Sequence, residues 1–269
     1  MSVIAYGNRA LRRTTSAART LPGFVVIGGM RCGTSSFFDW IAKHPDVQQP
    51  STKEIHFFDV HYARGEQWYR SHFPLRAQGG TTFEATPSYL AHPDAARRAA
   101  TVIPDARMIV ILREPAERAW SHYRFRRSLG HETRSFEEAV NAELADPAPD
   151  SFENFRSAGQ IPYLVAGRYA EQVERWNAAF GSDQILIIDA DRMFTDPEAV
   201  LEQVEDFLGL RRVPLGLRRL NVSPSSTANA AMLEQLHDYY REPNRELRDL
   251  TDEPIAWLDT DREGGELRQ

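Results

Sequence analysis

The residues with the clearest chemical meaning lie in a glycine-containing loop near the start of the chain. The sequence from Phe24 to Ser36 is an apolar strand pattern that leads into the loop. Gly28 and Gly33 have the spacing of the glycines in a nucleotide-binding P-loop. Ser35 takes the position of the magnesium-binding hydroxyl, but Thr34 stands where the lysine belongs, and the cation is Arg31. Backbone N–H groups at a helix start bind phosphate. The loop therefore predicts a 5′-phosphate site that is poorly suited to a triphosphate.

A second predicted anion site follows another strand pattern. The run Arg107–Leu112 is short, apolar and β-branched, as in a buried parallel strand, and it ends in Arg113. A nucleoside triphosphatase would place a magnesium-binding carboxylate at the end of such a strand, whereas this chain has a guanidinium there. Ser121 lies two helical turns further on, where it can share an anion with Arg113. The alternative is that Arg113 is a strand-end arginine paired with Glu114 or Glu117, and that Ser121 is an exposed helix serine. Two phosphate sites without a metal predict a nucleotide that is phosphorylated at two separate places.

Four segments in order match one family. They are Gly28–Ser36, Lys53–Asp59, Phe83–Tyr89 and Ile111–Pro115 with Ser121. The chain resembles the sulfotransferases that use 3′-phosphoadenosine 5′-phosphosulfate (PAPS), specifically the branch with the heparan sulfate N- and O-sulfotransferases. The likeness is dense over residues 24–176 and returns in 236–244.

The resemblance implies PAPS as the donor, with no metal. Its 5′-phosphosulfate would lie in the first loop and its 3′-phosphate at the second site. The implied donor-binding residues are Arg31, Cys32, Gly33, Thr34, Ser35, Ser36, Arg113, Ser121 and Ser223. An acceptor hydroxyl or amine would attack sulfur in line, and nearby cations would stabilise the charge on the leaving phosphate.

The general base implied by the resemblance is Glu54. Taken alone, a glutamate beside Lys53 in a polar stretch is more often a solvated surface carboxylate. His56 is the alternative base and a candidate acceptor contact, although a buried structural histidine fits its apolar neighbours equally well. Tyr169 resembles a position near the family's active cleft and equally fits a core aromatic of a helix.

The chain departs from the family at several positions. The family usually carries lysine where Arg31 stands, and the heparan-type enzymes carry a lysine where this chain has Ala85. Lys53, beside the predicted base, is a candidate to replace that charge. Ser223 lies in a short loop, 220–226, that contacts the 3′-phosphate or merely forms a turn. Cys32 is the single cysteine, so no intrachain disulfide is possible. The resemblance implies a small loop residue at this position, which argues against Cys32 as a nucleophile.

Alternating strand and helix patterns predict an α/β fold. We expect a P-loop-containing three-layer architecture, in which helices flank a central parallel sheet. Residues 1–20 are expected to form a flexible basic arm and residues 21–269 one sulfotransferase domain. Helices are predicted over 35–44, 93–102, 161–180 and 199–208, the last with Asp196 as N-cap and Gly209 at its end, and a strand over 183–189. The segment from Asp146 to Gln160 is the predicted mobile loop, and Arg118, Arg124, Arg126 and Arg127 are expected on a solvated helix face.

Composition limits the partners. The net charge of −6 argues against broad nucleic-acid binding and weakens the case for a highly anionic acceptor, although a local basic cleft can overcome the average. No run reaches the roughly 18 apolar residues of a membrane span, and residues 1–19 have no apolar core of a secretory signal. We therefore expect a cytoplasmic enzyme that sulfates a glycan, glycolipid or secondary metabolite. A nucleotide- or glycan-binding module that has lost transfer, and a small-metabolite kinase, are the alternatives.

Overall fold

The computed structural model describes residues 12–145, 162–217, 229–251 and 254–259. The predicted donor contact Ser223, the loop that contains it, and the predicted mobile segment from Asp146 to Gln160 lie outside the described residues.

One parallel sheet forms the centre of the described structure. Its strands are β1 (Phe24–Gly28), β2 (Val47–Gln48), β3 (Thr81–Ala85), β4 (Arg107–Leu112) and β5 (Ile185–Asp189), in the spatial order β2-β3-β1-β4-β5. The helices are α1 (Thr34–Ile41), α2 (Glu66–Arg70), α3 (Ala95–Val102), α4 (Pro115–Ser128), α5 (Phe136–Ala145), α6 (Tyr169–Phe180), α7 (Ala190–Thr195), α8 (Pro197–Leu208), α9 (Ala230–Asp249) and α10 (Ala256–Asp259). The predicted fold class, a three-layer α/β fold with a P-loop, is confirmed.

The sheet is covered on both faces. Alternate residues of a strand point to opposite sides, so Val25 and Ile27 pack into one apolar cluster while Phe24 and Val26 pack into the other. Helices α3 and α6 supply one cluster, and α1, α7 and α8 supply the other. Because the strands are buried on both faces, their sequences are continuous apolar runs. None of the described helices is long and apolar enough to cross a membrane.

Gly33 determines how the first loop passes into α1. It caps the helix in the left-handed region, with φ of 92°, which glycine adopts without steric cost. A Cβ there would lie 2.7 Å from the terminal methyl of Met193. Any larger residue would therefore strain the backbone and displace the side chains of Met193 and Phe194.

Residues 12–20 do not behave as a free arm. Arg12 Nε donates to the Ser71 carbonyl at 2.7 Å, and Arg19 Nη1 donates to the Phe73 carbonyl at 2.7 Å. Arg19 is only 7% exposed. These contacts tie the last part of the expected arm to the fold, and residues 1–11 lie outside the described residues.

Candidate active site

The predicted anion sites meet at the carboxyl ends of the central strands. β1 lies between β3 and β4, and the chain crosses from one side of β1 to the other between those two strands. Such a switch in strand order opens a crevice above the strand ends, where ligands bind in α/β sheets. The loop after β1 and Arg113 after β4 border this crevice. The backbone N–H of Glu54 donates to the Ala85 carbonyl at the end of β3 at 3.1 Å, which brings the predicted base to the same edge.

Arg31 links the two predicted anion sites. Its backbone is left-handed, with φ of 67°, and its Nε donates to Ser121 Oγ at 3.4 Å. Its guanidinium carbon lies 4.5 Å from the centre of the Phe125 ring. Burial, together with the nearby Arg113 and Arg124, lowers the pKa of the Arg31 guanidinium. This crowding of cations around a serine hydroxyl is the charge pattern of an anion site.

Arg113 forms the ion pair that we gave as its alternative role. Its Nη2 lies 2.7 Å from Glu117 Oε2, on a half-exposed carboxylate. Glu114 instead caps α4, because its side chain accepts from the N–H groups of Ala116 and Glu117 at 3.0 and 2.7 Å. An arriving phosphate would therefore compete with Glu117 for Arg113, while Arg31 already lies beside Ser121.

Lys53 connects the predicted base to the first loop. Its Nζ donates to Ser35 Oγ at 2.6 Å and lies 3.3 Å from Glu54 Oε1. The Glu54 side chain is 44% exposed, and its backbone has φ of 56°. The carboxylate is therefore accessible to an acceptor and is placed beside the start of α1.

His56 belongs to a chain of polar side chains behind Glu54. Its Nε2 lies 3.9 Å from Glu54 Oε2, and its Nδ1 is 2.9 Å from Asp59 Oδ2. The hydrogen bond to Asp59 outweighs burial and raises the pKa of His56. Burial raises the pKa of Asp59, but bonds from His56 and Ser88 outweigh it, so the net shift is downward. Ser88 Oγ donates to Asp59 Oδ2 at 2.6 Å. Asp59 and Ser88 have no functional signal of their own in the sequence, although both lie in the matched segments.

Several predicted site residues have buried side chains. Cys32 and Ser36 are each 1% exposed, and their backbone N–H groups donate to the Gly29 and Gly33 carbonyls at 3.3 and 2.9 Å, so both N–H groups are already bonded within the loop. Tyr169 is also 1% exposed, and its hydroxyl donates to the Arg113 carbonyl at 3.0 Å. It therefore occupies the position of a core aromatic beneath the loop. Burial raises the pKa of the Cys32 thiol.

Arg118 contradicts the predicted solvated helix face. It is 0% exposed, donates to the Tyr163 carbonyl, and has no hydrogen bond at Nε or Nη1 to any of the residues that the structure describes. Burial and Arg118 together lower the pKa of neighbouring His122 to about 2. The helical pattern of α4 did not reveal this, because the helices packed over its inner face come from far along the chain. Among the residues described, no three His, Cys, Asp or Glu side chains are grouped to hold a metal ion.

Comparison with known proteins shows the family to which this chain belongs. The family model described as "Sulfotransferase domain" matches residues 21–239. The chain therefore belongs to the sulfotransferase family. The curated relatives include the Mus musculus heparan sulfate glucosamine 3-O-sulfotransferase 3B1, which is 30% identical over 90% of this chain and 66% of the relative. The Homo sapiens bifunctional heparan sulfate N-deacetylase/N-sulfotransferase 3 is 36% identical over 71% of this chain and 22% of the relative.

Solved structures agree with the fold. A sulfotransferase from Alicyclobacillus acidocaldarius aligns with a TM-score of 0.74 and 27% identity, over 89% of this chain and 99% of that one. The sulfotransferase domain of the Synechococcus PCC 7002 olefin synthase aligns with a TM-score of 0.54 at 15% identity, over 88% of this chain and 97% of that one, which supports the fold alone. The chain thus spans a whole bacterial sulfotransferase but just under two thirds of the first curated relative.

Proposed function

We propose that this protein transfers the sulfuryl group of PAPS to a hydroxyl of a glycan, glycolipid or secondary metabolite. The observation that carries the proposal is the position of Lys53, whose Nζ contacts both Ser35 in the phosphate loop and the carboxylate of Glu54. A carboxylate able to take a proton therefore lies beside the loop suited to a phosphosulfate. Family membership supports the same reaction.

The cations and hydroxyls of the crevice fit this donor. Arg31, Ser121 and the start of α1 supply guanidinium, hydroxyl and backbone N–H donors, which suit phosphate and sulfate oxygens. PAPS supplies an activated sulfuryl group bonded to a phosphate oxygen. The acceptor oxygen forms a bond to sulfur as the bond to that phosphate oxygen breaks. Glu54 takes the acceptor proton, and adenosine 3′,5′-bisphosphate leaves.

Lys53 has a defined part in this scheme. Ala85 is fully buried and offers no charge where the heparan-type enzymes carry lysine. The Lys53 ammonium, beside Ser35, replaces that charge from another segment and offsets the negative charge of the departing phosphate. We expect Lys53→Ala to lower kcat about 10- to 100-fold with little loss of bisphosphate affinity. Steady-state kinetics and calorimetry test this, and unchanged turnover would remove Lys53 from the mechanism.

The decisive experiment compares Glu54→Gln with the wild type. Labelled PAPS is incubated with the protein and a cell extract, and the labelled product is identified by mass spectrometry. We expect the variant to lose transfer, because its amide cannot take a proton, and to bind adenosine 3′,5′-bisphosphate as before by calorimetry. Retained transfer would shift the base to His56. Magnesium-dependent ATP affinity without bisphosphate affinity would favour a kinase, and bisphosphate binding without transfer would favour a binding module.

The names of the relatives support part of the proposed acceptor class. Their names specify heparan sulfate, which supports a glycan or glycolipid, whereas the net charge of −6 favours an acceptor less anionic than heparan sulfate. A cytoplasmic location stays a prediction, as does the absence of nucleic-acid binding.

A further inference from the structure

A fully buried carboxylate lies beneath the candidate active site and accepts three hydroxyl groups. Glu84 in β3 is 0% exposed. Its Oε1 accepts from Tyr89 at 2.6 Å and from Thr86 at 2.8 Å, and its Oε2 accepts from Tyr69. These three hydroxyl donors stabilise the carboxylate where water is excluded.

Two of the three hydroxyls also hold the backbone that follows the predicted base. Tyr89 Oη accepts from the N–H groups of Phe57 and Phe58 at 2.6 and 3.3 Å, and Thr86 Oγ1 accepts from the N–H of His56 at 3.5 Å. A backbone N–H can only donate, so each hydroxyl must accept there and direct its own proton elsewhere. Glu84 receives both of those protons and so fixes the direction of both hydroxyls.

The segment held in this way has an unfavourable backbone conformation. Glu54 and His56 have φ of 56° and 55°, in the left-handed region that residues with a Cβ rarely adopt. Such a conformation persists only where surrounding contacts impose it. Bonds to three consecutive N–H groups, 56–58, supply that constraint immediately after the base.

We propose that Tyr89 and Thr86 are positioning residues for sulfuryl transfer, whose hydroxyls, directed by Glu84, hold the segment that carries Glu54 and His56. The inference rests on the proposed function for its catalytic consequence. Its structural part concerns the backbone alone and is tested separately.

Tyr89→Phe and Tyr69→Phe form a matched pair. Both tyrosines are fully buried and both donate to Glu84, but of the two hydroxyls only that of Tyr89 is bonded to backbone N–H groups of 56–58 in the described structure. Each substitution keeps the ring and removes one oxygen. We expect Tyr89→Phe to lower kcat about 10- to 100-fold with unchanged affinity for adenosine 3′,5′-bisphosphate, and Tyr69→Phe to keep kcat within about threefold.

Amide hydrogen exchange gives a readout that does not depend on activity. We expect exchange at Phe57 and Phe58 to speed up in Tyr89→Phe and to stay unchanged in Tyr69→Phe. Equal exchange and equal kcat in the two variants would overturn the inference, even if the wild type transfers sulfate. Absence of transfer by the wild type, with faster exchange in Tyr89→Phe, would refute the proposed function and leave the positioning contact supported.

A second pair covers the case in which Tyr89→Phe does not fold. Thr86→Val removes the acceptor of the His56 N–H while keeping the side-chain shape, and Thr86→Ser keeps the hydroxyl. We expect Thr86→Ser to retain the exchange protection at His56 that Thr86→Val loses. Equal protection in both variants would overturn the inference.

Discussion

Arg31 changes the geometry of the loop as well as keeping its charge. Lysine would present a point charge, whereas the planar guanidinium stacks on an aromatic ring and donates along fixed directions. Here it stacks on Phe125 and reaches Ser121. Phe125 is 43% exposed, and its solvent-facing position on α4 is explained by this contact.

Phe125→Leu is expected to weaken bisphosphate binding about threefold, because it removes a cation–π contact of modest strength that holds Arg31. In an Arg31→Lys background the same substitution is expected to have no effect. Calorimetry on the four proteins of this double-mutant cycle measures the coupling. Leu129→Ala is the control, since Leu129 is 51% exposed on the same helix. Additive effects in the cycle would show that the ring does not position Arg31.

Glu84 gives a pH dependence of stability with a defined sign. Burial raises the pKa of Glu84 from 4.5 to about 7, against the hydrogen bonds from its hydroxyl partners. The folded protein then binds this proton more tightly than the unfolded chain does. Relative to Glu84→Gln, the wild type should lose about 3 kcal/mol of unfolding free energy as pH rises from 4.5 to 7.

Urea unfolding of the wild type and Glu84→Gln at pH 5 and pH 8 measures that difference. The neighbouring Asp59, His56, Tyr69 and Tyr89 are present in both proteins, so their titration largely cancels in the comparison. Parallel pH profiles for the two proteins would contradict the prediction.

Residue types and spacing predicted the candidate site better than they predicted its geometry. The loop with Arg31 and the serine at 121 stood out by residue type and spacing, whereas Lys53 and Glu54 were indicated by the resemblance to the family. The left-handed backbone at Glu54 and His56 was not, since the contacts that impose it come from residues 85–89, about 30 positions away. The burial of Tyr169 likewise depends on packing between distant segments.

Among the secondary-structure elements, sequence patterns predicted the bounds of the strands well and the ends of the helices less well. β4 has the predicted bounds because its apolar run is uninterrupted. The helix expected over 161–180 is regular only from Tyr169, where α6 begins. A Cβ on Gly167 would lie 2.7 Å from the Tyr240 hydroxyl, so close packing with α9 accompanies the irregular backbone there. Asp196 precedes α8 as predicted, but its side chain makes no capping bond.

The cap at the N-terminus of α4 is expected to contribute to both stability and binding. Glu114 satisfies two backbone N–H groups that otherwise have no helical partner. Glu114→Ala should cost about 1 kcal/mol of unfolding free energy and weaken bisphosphate binding, because α4 carries Ser121 and follows Arg113. Glu114→Asp, which retains a capping carboxylate, is the control. Denaturant unfolding and calorimetry test both effects, and equal stability of the two variants would show that the cap contributes nothing.

At the scale of the molecule, alternating strand patterns sufficed to predict a three-layer fold, because parallel strands buried on both faces require helices on each side. The start of the folded unit could not be predicted in the same way. Arg19 lies in a basic stretch typical of a solvated terminus, yet its Nη1 donates to the Phe73 carbonyl, 54 residues away. Charged side chains bonded to distant carbonyls leave no local pattern.

Arg19 therefore tests whether the fold begins before residue 21. Arg19 is 7% exposed, and its Nη1 donates to the Phe73 carbonyl, which also accepts from Arg12 Nη2 at 3.0 Å. Arg19→Ala therefore removes one of the two charged donors to this carbonyl and a buried guanidinium with it. We expect a loss of about 2 kcal/mol in unfolding free energy. Arg13→Ala, at an exposed position of the same segment, should change stability by less than about 0.5 kcal/mol. Urea unfolding of both variants measures these changes. An Arg19→Ala protein as stable as the wild type would support the original prediction that the flexible arm extends to residue 20.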